Sequence, residues 1–252
     1  MNTMRRTTPL DKDDVSSARC SPALRLSLLR RVTLFAQLDD SQLAEVNRLF
    51  RERGYAAGER VYFRGNLARF FYVVADGKVK LVLAAARGQD VLLEILGPGD
   101  TFGTMPMFGD DVYPDTDEAQ TDSCLLTITA ADLRTVLERH PPVAHKLIGV
   151  LSEQLRSARE TIRRVSTGSI ESRVAASLLK LADQLGQDDR GAVLIQVPLT
   201  RQDLADMTGA QVETVSRIMS GFRKDGLIRS GRGWVAVVDR ERLAAIAADP
   251  SR

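Results

Sequence analysis

The chain has 252 residues, 44% of them hydrophobic and 27% charged, with a formal net charge of +2. This composition is ordinary for a globular protein of about two domains. Two cysteines are too few for a disulfide framework, no uncharged apolar run approaches the ~18 residues of a membrane helix, and the small net charge does not by itself indicate a nucleic-acid partner.

The N-terminal segment mixes acidic and basic residues and lacks the apolar stretch of a signal peptide. We expect residues 1–25 to form a disordered tail. Because no targeting or membrane segment is recognisable, the expected location is the cytoplasm, and no membrane partner is expected.

Helical and then strand-like patterns follow. Short helical patterns occupy 26–50, and Asp40 or Ser41 is placed to cap one of these helices. From 53 to 129, short apolar or alternating runs separated by glycine turns predict strands of a β-sandwich or barrel. Asp76-Gly77, between two such runs, is the strongest hairpin signal. The predicted strands are 60–63, 70–74, 78–83, 91–96 and 125–128.

A long helix is predicted from 141 to 166. His140-Pro141-Pro142 is its start signal, because proline fits the first turn of a helix. Apolar residues then recur every three or four positions along one face. This stripe either lies on the chain's own β domain or pairs with the same helix of a second copy, and its narrowness and charged flanks favour pairing. The stripe consists of Leu147, Leu151, Leu155, Ala158, Ile162 and Val165.

The segment Ser166-Thr167-Gly168-Ser169 interrupts this helix, because glycine weakens a helix interior by about 1 kcal/mol and Ser and Thr favour caps. We place the domain boundary and a hinge here, at Thr167 and Gly168. A second amphipathic helix is predicted from Ile170 to Leu185, and the polar segment 187–191 ends it.

A helix-turn-helix pattern follows a predicted strand at 193–198. Thr200 is placed to cap the first helix, with Asp203 at the capping-box position. Thr208-Gly209 forms the turn, because glycine tolerates a left-handed backbone. The second helix is predicted from about 212 to 224. In DNA-binding proteins with this motif, the second helix enters the major groove.

Three polar side chains near the start of the second helix, Glu213, Ser216 and Arg217, suit contact with bases. Arginine donates two hydrogen bonds to guanine, glutamate accepts one from the cytosine amino group, and serine bonds to either. The alternative is a surface ion pair between Glu213 and Arg217, which are four positions apart and share one face. Position favours base contact, because the first turns of a recognition helix point into the groove.

A small hairpin is predicted over 227–238, after the second helix. As a wing, this hairpin would bring Arg232 to the DNA backbone. Further side chains around the helix pair are candidates for phosphate contacts, which set register and salt dependence and not sequence preference. The candidates are Thr200, Arg201, Gln202, Gln211, Thr214, Arg223, Lys224 and Arg232.

These motifs resemble those of the Crp/Fnr family of bacterial transcription regulators over about residues 26–248. Gly209–Arg217 is very similar to the recognition helix of the Fnr branch, and 55–59, 71–80 and 97–100 resemble the family's β-roll. The resemblance implies an α+β fold. Its expected parts are a cyclic-nucleotide-binding-like β-roll (a jelly roll) with flanking helices at 26–140, a dimerisation helix at 141–166 and a winged helix-turn-helix domain at 167–252.

The resemblance also implies a function. Members of the family act as homodimers on inverted repeats, here with half-sites similar to TTGA and TCAA, which Glu213, Ser216 and Arg217 would contact. Such proteins usually recruit RNA polymerase, and some repress. The expected partners are therefore double-stranded DNA, a second copy of the chain and RNA polymerase.

Departures from the family pattern concern the effector. Residues 99–108 and the acidic segment 113–124 lack the Gly-Glu and Arg-Ser or Arg-Thr pairs with which cyclic-nucleotide binders of the family hold phosphate. We therefore expect no tight binding of cyclic AMP. Cys20 and Cys124 are too few for the four-cysteine iron–sulfur cluster of the Fnr branch. No metal site and no cofactor is expected.

Haem is a minor alternative, because residues 103–108 with Tyr113-Pro114 are somewhat similar to the nitric-oxide and denitrification regulators of the family. The conceivable axial ligands are His140, His145, Met105, Met107 and Cys124. The simpler interpretation places His140 exposed at a helix start, His145 at the surface or an interface, and both methionines in the core.

Three classes of function remain in competition. The first is a dimeric transcription factor. The second is a ligand-sensing or haem- and nitric-oxide-sensing module that signals through a protein partner and has a vestigial DNA-binding domain; the intact Glu213, Ser216 and Arg217 argue against it. The third is an enzyme, but two histidines far in sequence from either cysteine form no triad pattern, and no Walker loop or metal-ligand spacing is present.

Overall fold

The structure, a computed structural model, describes residues 22–84, 90–106, 109 and 111–249. They form two compact units, and the division falls within the longest helix, between Ser157 and Ala158. The helices are α1 (Pro22–Arg31), α2 (Asp40–Asn47), α3 (Ala130–Arg139), α4 (Pro141–Thr167), α5 (Ile170–Leu185), α6 (Arg201–Thr208), α7 (Val212–Lys224) and α8 (Arg240–Ala248), with a short 3-10 helix at Thr33–Phe35.

The strands are β1 (Arg51–Tyr55), β2 (Arg60–Tyr62), β3 (Phe70–Asp76), β4 (Val79–Leu83), β5 (Val91–Leu96), β6 (Thr101–Phe102), β7 (Thr116–Ala119), β8 (Ser123–Thr129), β9 (Gly186–Asp189), β10 (Ala192–Ile195), β11 (Ile228–Gly231) and β12 (Trp234–Val237). Most of the predicted tail lies outside the described residues. Its last part does not: α1 already begins at Pro22, inside the range predicted to be disordered.

The cap of α2 lies one residue earlier than predicted. The N-cap is Asp39, not Asp40 or Ser41: its carboxylate accepts a hydrogen bond from the backbone N–H of Gln42 (2.9 Å), and the Gln42 side chain accepts one from the Asp39 N–H (3.1 Å). This reciprocal arrangement is a capping box. The helix then buries its apolar face in a cluster that includes Leu29, Phe35, Leu43, Val46 and Phe50.

Two four-stranded sheets, with strand orders β1-β8-β3-β6 and β2-β7-β4-β5, form the predicted β-roll. The five predicted strand segments correspond to β2, β3, β4, β5 and β8, whereas β1, β6 and β7 were not predicted. Asp76-Gly77 does not form the predicted hairpin, because β3 and β4 belong to different sheets. The turn instead carries the chain from one sheet to the other, with Gly77 at a φ of 86°.

The interior of the β-roll is aromatic and contains the buried carboxyl group of Asp117. Tyr62 stacks on Tyr113 with ring centroids 3.6 Å apart. On the neighbouring strand, Asp117 pairs in register with Tyr62 and Leu81, is 0% exposed, and has no hydrogen-bond partner for either carboxylate oxygen within the described part of the chain. Burial and the nearby Asp115 raise the pKa of Asp117 to about 8.

Asp117→Asn is expected to stabilise the β-roll at alkaline pH. Between the usual carboxyl pKa of about 4 and the folded-state pKa of about 8, the folded chain holds a proton that the unfolded chain has released. The stability of the native protein therefore falls as the pH rises through this window, and the variant lacks that loss. One pKa unit between the two states corresponds to about 1.4 kcal/mol. We therefore expect the free energy of unfolding of Asp117→Asn, relative to that of the native protein, to increase by at least that amount between pH 5 and pH 8.

Urea unfolding at pH 5 and pH 8, followed by circular dichroism, measures this gain. The control is Glu138→Gln, which removes an exposed carboxylate from α3 of the same unit and should leave the pH profile unchanged. A difference between Asp117→Asn and the native protein that is the same at both pH values would contradict the assignment.

The long helix α4 begins at the predicted proline and ends at Thr167, one residue beyond the predicted end. Leu147 is buried in the apolar cluster of its own unit, so the exposed stripe starts at Ile148, which was not part of the prediction and is 61% exposed. Further along, large apolar side chains remain exposed: Leu151, Leu155, Ile162 and Val165. None of the helices formed by the described residues is long and apolar enough to cross a bilayer.

The C-terminal unit contains a sheet of order β11-β12-β10-β9 and the helices that follow α4. Helix α5 has the predicted bounds and is capped by Ser169, whose hydroxyl accepts from the Ser172 N–H (3.1 Å). The segment predicted as a polar turn contains β9, which pairs with β10. At the predicted hinge, a methyl group on Gly168 would lie 2.7 Å from the carbonyl oxygen of Arg164, so this position accepts no side chain without movement.

Candidate nucleic-acid interface

The first helix of the predicted motif is α6, and its predicted capping box is confirmed. The Thr200 hydroxyl oxygen accepts from the Asp203 N–H (3.0 Å), while the Asp203 carboxylate accepts from the Thr200 N–H (2.8 Å) and from the Thr200 hydroxyl (2.7 Å). The hydroxyl of Thr200 is thus already occupied within the chain. To contact a phosphate as predicted, this hydroxyl would first have to give up its hydrogen bonds with Asp203.

The turn after α6 is held by an arginine that was not predicted. Gly209 ends the helix with φ 61° and ψ 37°, the left-handed conformation predicted for it. The guanidinium of Arg173, on α5, donates to the carbonyl of Thr208 (2.6 Å), and the Thr208 hydroxyl donates to the carbonyl of Leu204 (2.6 Å). Arg173 therefore positions the turn that sets the direction of α7.

Gly209→Ala is expected to destabilise the C-terminal unit by about 1 kcal/mol, because the left-handed conformation costs a residue with a Cβ about that much. Space is not the cause, since the nearest atom to the new methyl group is Arg173 Nη1 at 3.7 Å. The matched control is Gly221→Ala in α7, where nothing lies within 4 Å. This control should be neutral or stabilising, because alanine is the better helix former. Thermal unfolding followed by circular dichroism compares them, and equal effects would contradict the argument.

The second helix, α7, has one buried and one exposed edge. Val215, Met219 and Phe222 are buried against the C-terminal unit. Glu213 and Arg217 are exposed on the other edge, one helical turn apart, and Ser216 beside them is half-buried. Among the residues that the structure describes, Glu213 and Arg217 form no ion pair, so the surface pair considered as the alternative is not observed. The edge presents one acceptor group, one donor group and one hydroxyl.

The start of α7 offers backbone donors in addition to these side chains. Its N-cap, Gln211, makes no side-chain capping hydrogen bond. The first N–H groups of a helix have no partner within the helix, and together with the helix dipole they favour anions. The N-terminus of α7 is therefore suited to approach a phosphate.

Basic and polar side chains flank the two helices. Arg201, at the start of α6, is half-buried; burial and the neighbouring Arg223 lower its pKa. Two cations near each other are better accommodated when an anion is bound beside them. Gln202 is exposed, but its amide donates to Asp206 (2.7 Å). The other predicted phosphate contacts on α7 and its cap are exposed or half-buried: Gln211, Thr214, Arg223 and Lys224.

Strands β11 and β12 form the predicted wing. They pair from Ile228–Val237 to Gly231–Trp234, which leaves Arg232-Gly233 as the turn and Arg232 exposed at the tip. Trp234, the single tryptophan of the chain, lies directly against Gly231, where an added methyl group would come within 2.5 Å of its Nε1 atom. The wing is therefore a tight hairpin with its aromatic ring next to the turn.

The residues considered as haem ligands have different environments. His140 is buried at the end of α3, not exposed as the simpler interpretation had it, whereas His145 is exposed. Met105 is half-buried and packs on an apolar cluster, and Cys124 of β8 is buried and is not a free thiol. Met107 and Cys20 lie outside the described residues.

Comparison with known proteins matches both parts of the chain. Residues 172–246 match the Crp-like helix-turn-helix domain, and residues 52–140 match the cyclic nucleotide-binding domain. The CRP-like cAMP-activated global transcriptional regulator of Mycobacterium tuberculosis is 30% identical over 219 residues, which cover 86% of this chain and 97% of the relative. The Cyclic AMP receptor protein of Thermus thermophilus is 34% identical over 79% of this chain and 88% of its own length.

A solved structure supports the same assignment. FixK2 from Bradyrhizobium japonicum superposes with a TM-score of 0.72 and 25% sequence identity over 79% of this chain and 98% of FixK2. A β-roll, a long helix and a winged helix-turn-helix in this order define a helix-turn-helix transcription regulator with a cyclic-nucleotide-binding-like domain. The chain belongs to the Crp/Fnr family of such regulators.

Proposed function

We propose that the protein is a sequence-specific DNA-binding transcription regulator that binds, as a homodimer, an inverted repeat with half-sites similar to TTGA and TCAA. The observation that supports this proposal most directly is the exposed edge of α7. Glu213 and Arg217 project from the first turns of the helix without an internal ion pair, and Ser216 lies beside them. An arginine donor and a glutamate acceptor at this place match the hydrogen-bonding edges of guanine and cytosine.

The homodimer is supported by the apolar stripe of α4. Ile148, Leu155 and Ile162 are 61%, 52% and 66% exposed in the single chain, which is unusual for large apolar side chains at helical spacing. A parallel pairing of two α4 helices would bury them in one seam. Two copies would then place two α7 helices for successive turns of the duplex, as an inverted repeat requires.

For the effector, we propose a signal other than cyclic AMP, although two of the relatives are described as cyclic AMP regulators. The segment 113–124 contains no basic residue, and it includes Asp115 and the fully buried Asp117. The resemblance leads one to expect a phosphate-binding arginine in this segment, and acidic residues are found there instead. Asp117 is protonated at neutral pH because its pKa is raised to about 8, but a phosphodiester placed beside Asp115, in a segment that supplies no basic residue of its own, would still be disfavoured.

Two measurements test these proposals separately. Fluorescence anisotropy should show tighter binding to a probe with TTGA and TCAA half-sites centred one helical turn apart than to a scrambled probe of the same length. Titration calorimetry with cyclic AMP should show no binding in the micromolar range. Equal affinity for the two probes would refute the DNA proposal, and micromolar affinity for cyclic AMP would refute the effector proposal alone.

The remaining parts of the proposal concern how DNA binding is used. We propose that the bound dimer activates transcription by recruiting RNA polymerase in the cytoplasm, and that the protein has no enzymatic activity. In vitro transcription from a promoter carrying the inverted repeat upstream of the polymerase site tests this. More transcript with the protein present supports recruitment, and less transcript indicates repression.

A further inference from the structure

The β-roll has a groove, of about 490 Å³, that the proposed function does not use. Three tyrosines, Tyr62, Tyr72 and Tyr113, and three arginines, Arg53, Arg60 and Arg69, are among its lining residues. The tyrosines are buried and the arginines are exposed, so the former make the floor and the latter the rim. We call it the arginine–tyrosine groove. Its volume lies in the range of small-ligand sites, about 300–1,000 Å³.

The floor of the groove is rigid. Tyr62 and Tyr113 stack at 3.6 Å, and Tyr72 lies 5.6 Å from Tyr62. The hydroxyl of Tyr113 donates to the carbonyl of Phe70 (2.9 Å) and accepts from the Phe70 N–H (3.1 Å), while the Tyr62 hydroxyl donates to Asp115 (3.3 Å). These bonds fix the rings in place. A planar apolar ligand would meet an aromatic surface that requires little reorganisation.

The rim of the groove is cationic. The guanidinium of Arg53 lies 4.5 Å from the centre of the Phe70 ring, which holds it at the groove, whereas Arg60 is paired with Glu118 (3.2 Å). No carboxylate is among the lining residues. Arg53 and Arg69 are therefore the positive groups that a bound anion would neutralise.

Two exposed apolar side chains also lie at the rim of the groove. Phe63 and Leu67 are 56% and 60% exposed and also line the groove. None of the described residues 99–106, which belong to one of the two segments in which cyclic-nucleotide binders of the family hold a phosphate, lines it. Of the second such segment, 113–124, Tyr113 is the one described residue that lines the groove, so the groove overlaps the phosphate-holding segments at this position alone.

We propose that the arginine–tyrosine groove is a binding site for a small planar anion, namely an aromatic ring system that carries a carboxylate. The aromatic floor and the exposed Phe63 and Leu67 contact the rings, and Arg53 and Arg69 bind the carboxylate. A small ligand is favoured over an acidic peptide because the three buried tyrosines form one local floor, and the groove volume is that of a small molecule. This inference does not rest on DNA binding.

Equilibrium dialysis of the full chain with 2-naphthoate, in the absence of DNA, tests the proposal. We expect saturable binding with one site per chain. Arg53→Gln combined with Arg69→Gln should weaken it at least tenfold, and the neutral analogue 2-naphthalenemethanol should bind the native protein at least tenfold more weakly than 2-naphthoate. Because both arginines are exposed, the double variant should keep the circular dichroism spectrum of the native protein.

The matched control is Arg134→Gln, which removes an exposed arginine on α3, outside the groove, and should leave the affinity unchanged. The proposal is overturned if 2-naphthoate shows no saturable binding, or if the double variant binds it as tightly as the native protein does. It is overturned as well if the native protein binds 2-naphthalenemethanol as tightly as 2-naphthoate. It is also overturned if a Glu-Phe-Glu peptide binds in an arginine-dependent manner and 2-naphthoate does not. Each of these results leaves the DNA-binding proposal untouched, since no DNA is present.

Discussion

Arg217→Ala is expected to weaken binding to the inverted-repeat probe by about 5- to 160-fold for each half-site, which corresponds to about 1–3 kcal/mol for each bidentate contact with guanine, and the homodimer loses two such contacts. The side chain is exposed on α7 and has no ion pair among the described residues, so its removal should not disturb the fold. Binding to a scrambled probe should change far less, because non-specific affinity depends on phosphate contacts.

The base-pair preference of Arg217→Ala distinguishes the loss of a base contact from a general loss of positive charge. If Arg217 contacts one base, Arg217→Ala should tolerate substitutions at one base pair of each half-site while it still discriminates at the others. Arg232→Ala, at the tip of the wing, is the comparison. It should weaken binding to both probes alike and reduce the dependence of affinity on salt by about one phosphate contact for each protomer. If the two variants behaved identically on the two probes, Arg217 would be a backbone contact and the proposed base contact would be wrong.

The second large effect is expected from the exposed stripe of α4. Leu155→Asp combined with Ile162→Asp should convert a dimer into a monomer and reduce affinity for the inverted repeat by more than 100-fold. A pairing seam cannot bury four carboxylates, two from each chain, without a large desolvation cost. The same residues are more than half exposed in the single chain, so each protomer should still fold.

Sedimentation analysis gives the oligomeric state of this variant, and anisotropy gives its affinity for DNA. The control is Glu153→Lys, a charge change on the opposite side of α4, where Glu153 is paired with Arg156 at the surface. It should remain a dimer. A double-Asp variant that stayed dimeric would show that α4 is not the dimer contact, and a monomer that bound the inverted repeat with native affinity would show that dimerisation is not needed.

The parts of the fold that the sequence predicted well are those with strong local signals. The proline start of α4, the Thr200–Asp203 capping box and the glycine turn at Gly209 each follow from the geometry of a few adjacent residues. Such signals are local and need no tertiary context. The strands rich in branched or aromatic residues, such as β3 and β8, were identified for the same reason.

Strands with charged sequences were missed. β7, with the sequence Thr-Asp-Glu-Ala, and β9, with Gly-Gln-Asp-Asp, have the composition of turns. Both are strands because they pair with neighbours that are strong strand formers, so tertiary context overrides local preference. The burial of Asp117 was invisible for the same reason, since nothing in its neighbours along the chain indicates that its side chain lies opposite Tyr62 and Leu81.

At the candidate interface, sequence spacing identified the exposed edge of α7 but not its support. Arg173 contacts Thr208 across 35 positions of the chain, a distance that no local pattern spans. The stripe of α4 shows the limit of periodicity in another way. Leu147 and Ile148 are adjacent and both apolar, and only the packing of α4 on its own unit determines that Leu147 is buried and Ile148 exposed.

The position of Trp234 gives the protein an intrinsic optical probe. It is the only indole in the chain, it lies next to the turn of the wing, and its Nε1 atom is buried without a hydrogen-bond partner in the described part of the molecule. Its emission therefore reports on one hairpin alone. Stopped-flow recording of this emission would measure the rate at which the wing binds to a duplex, without any attached dye.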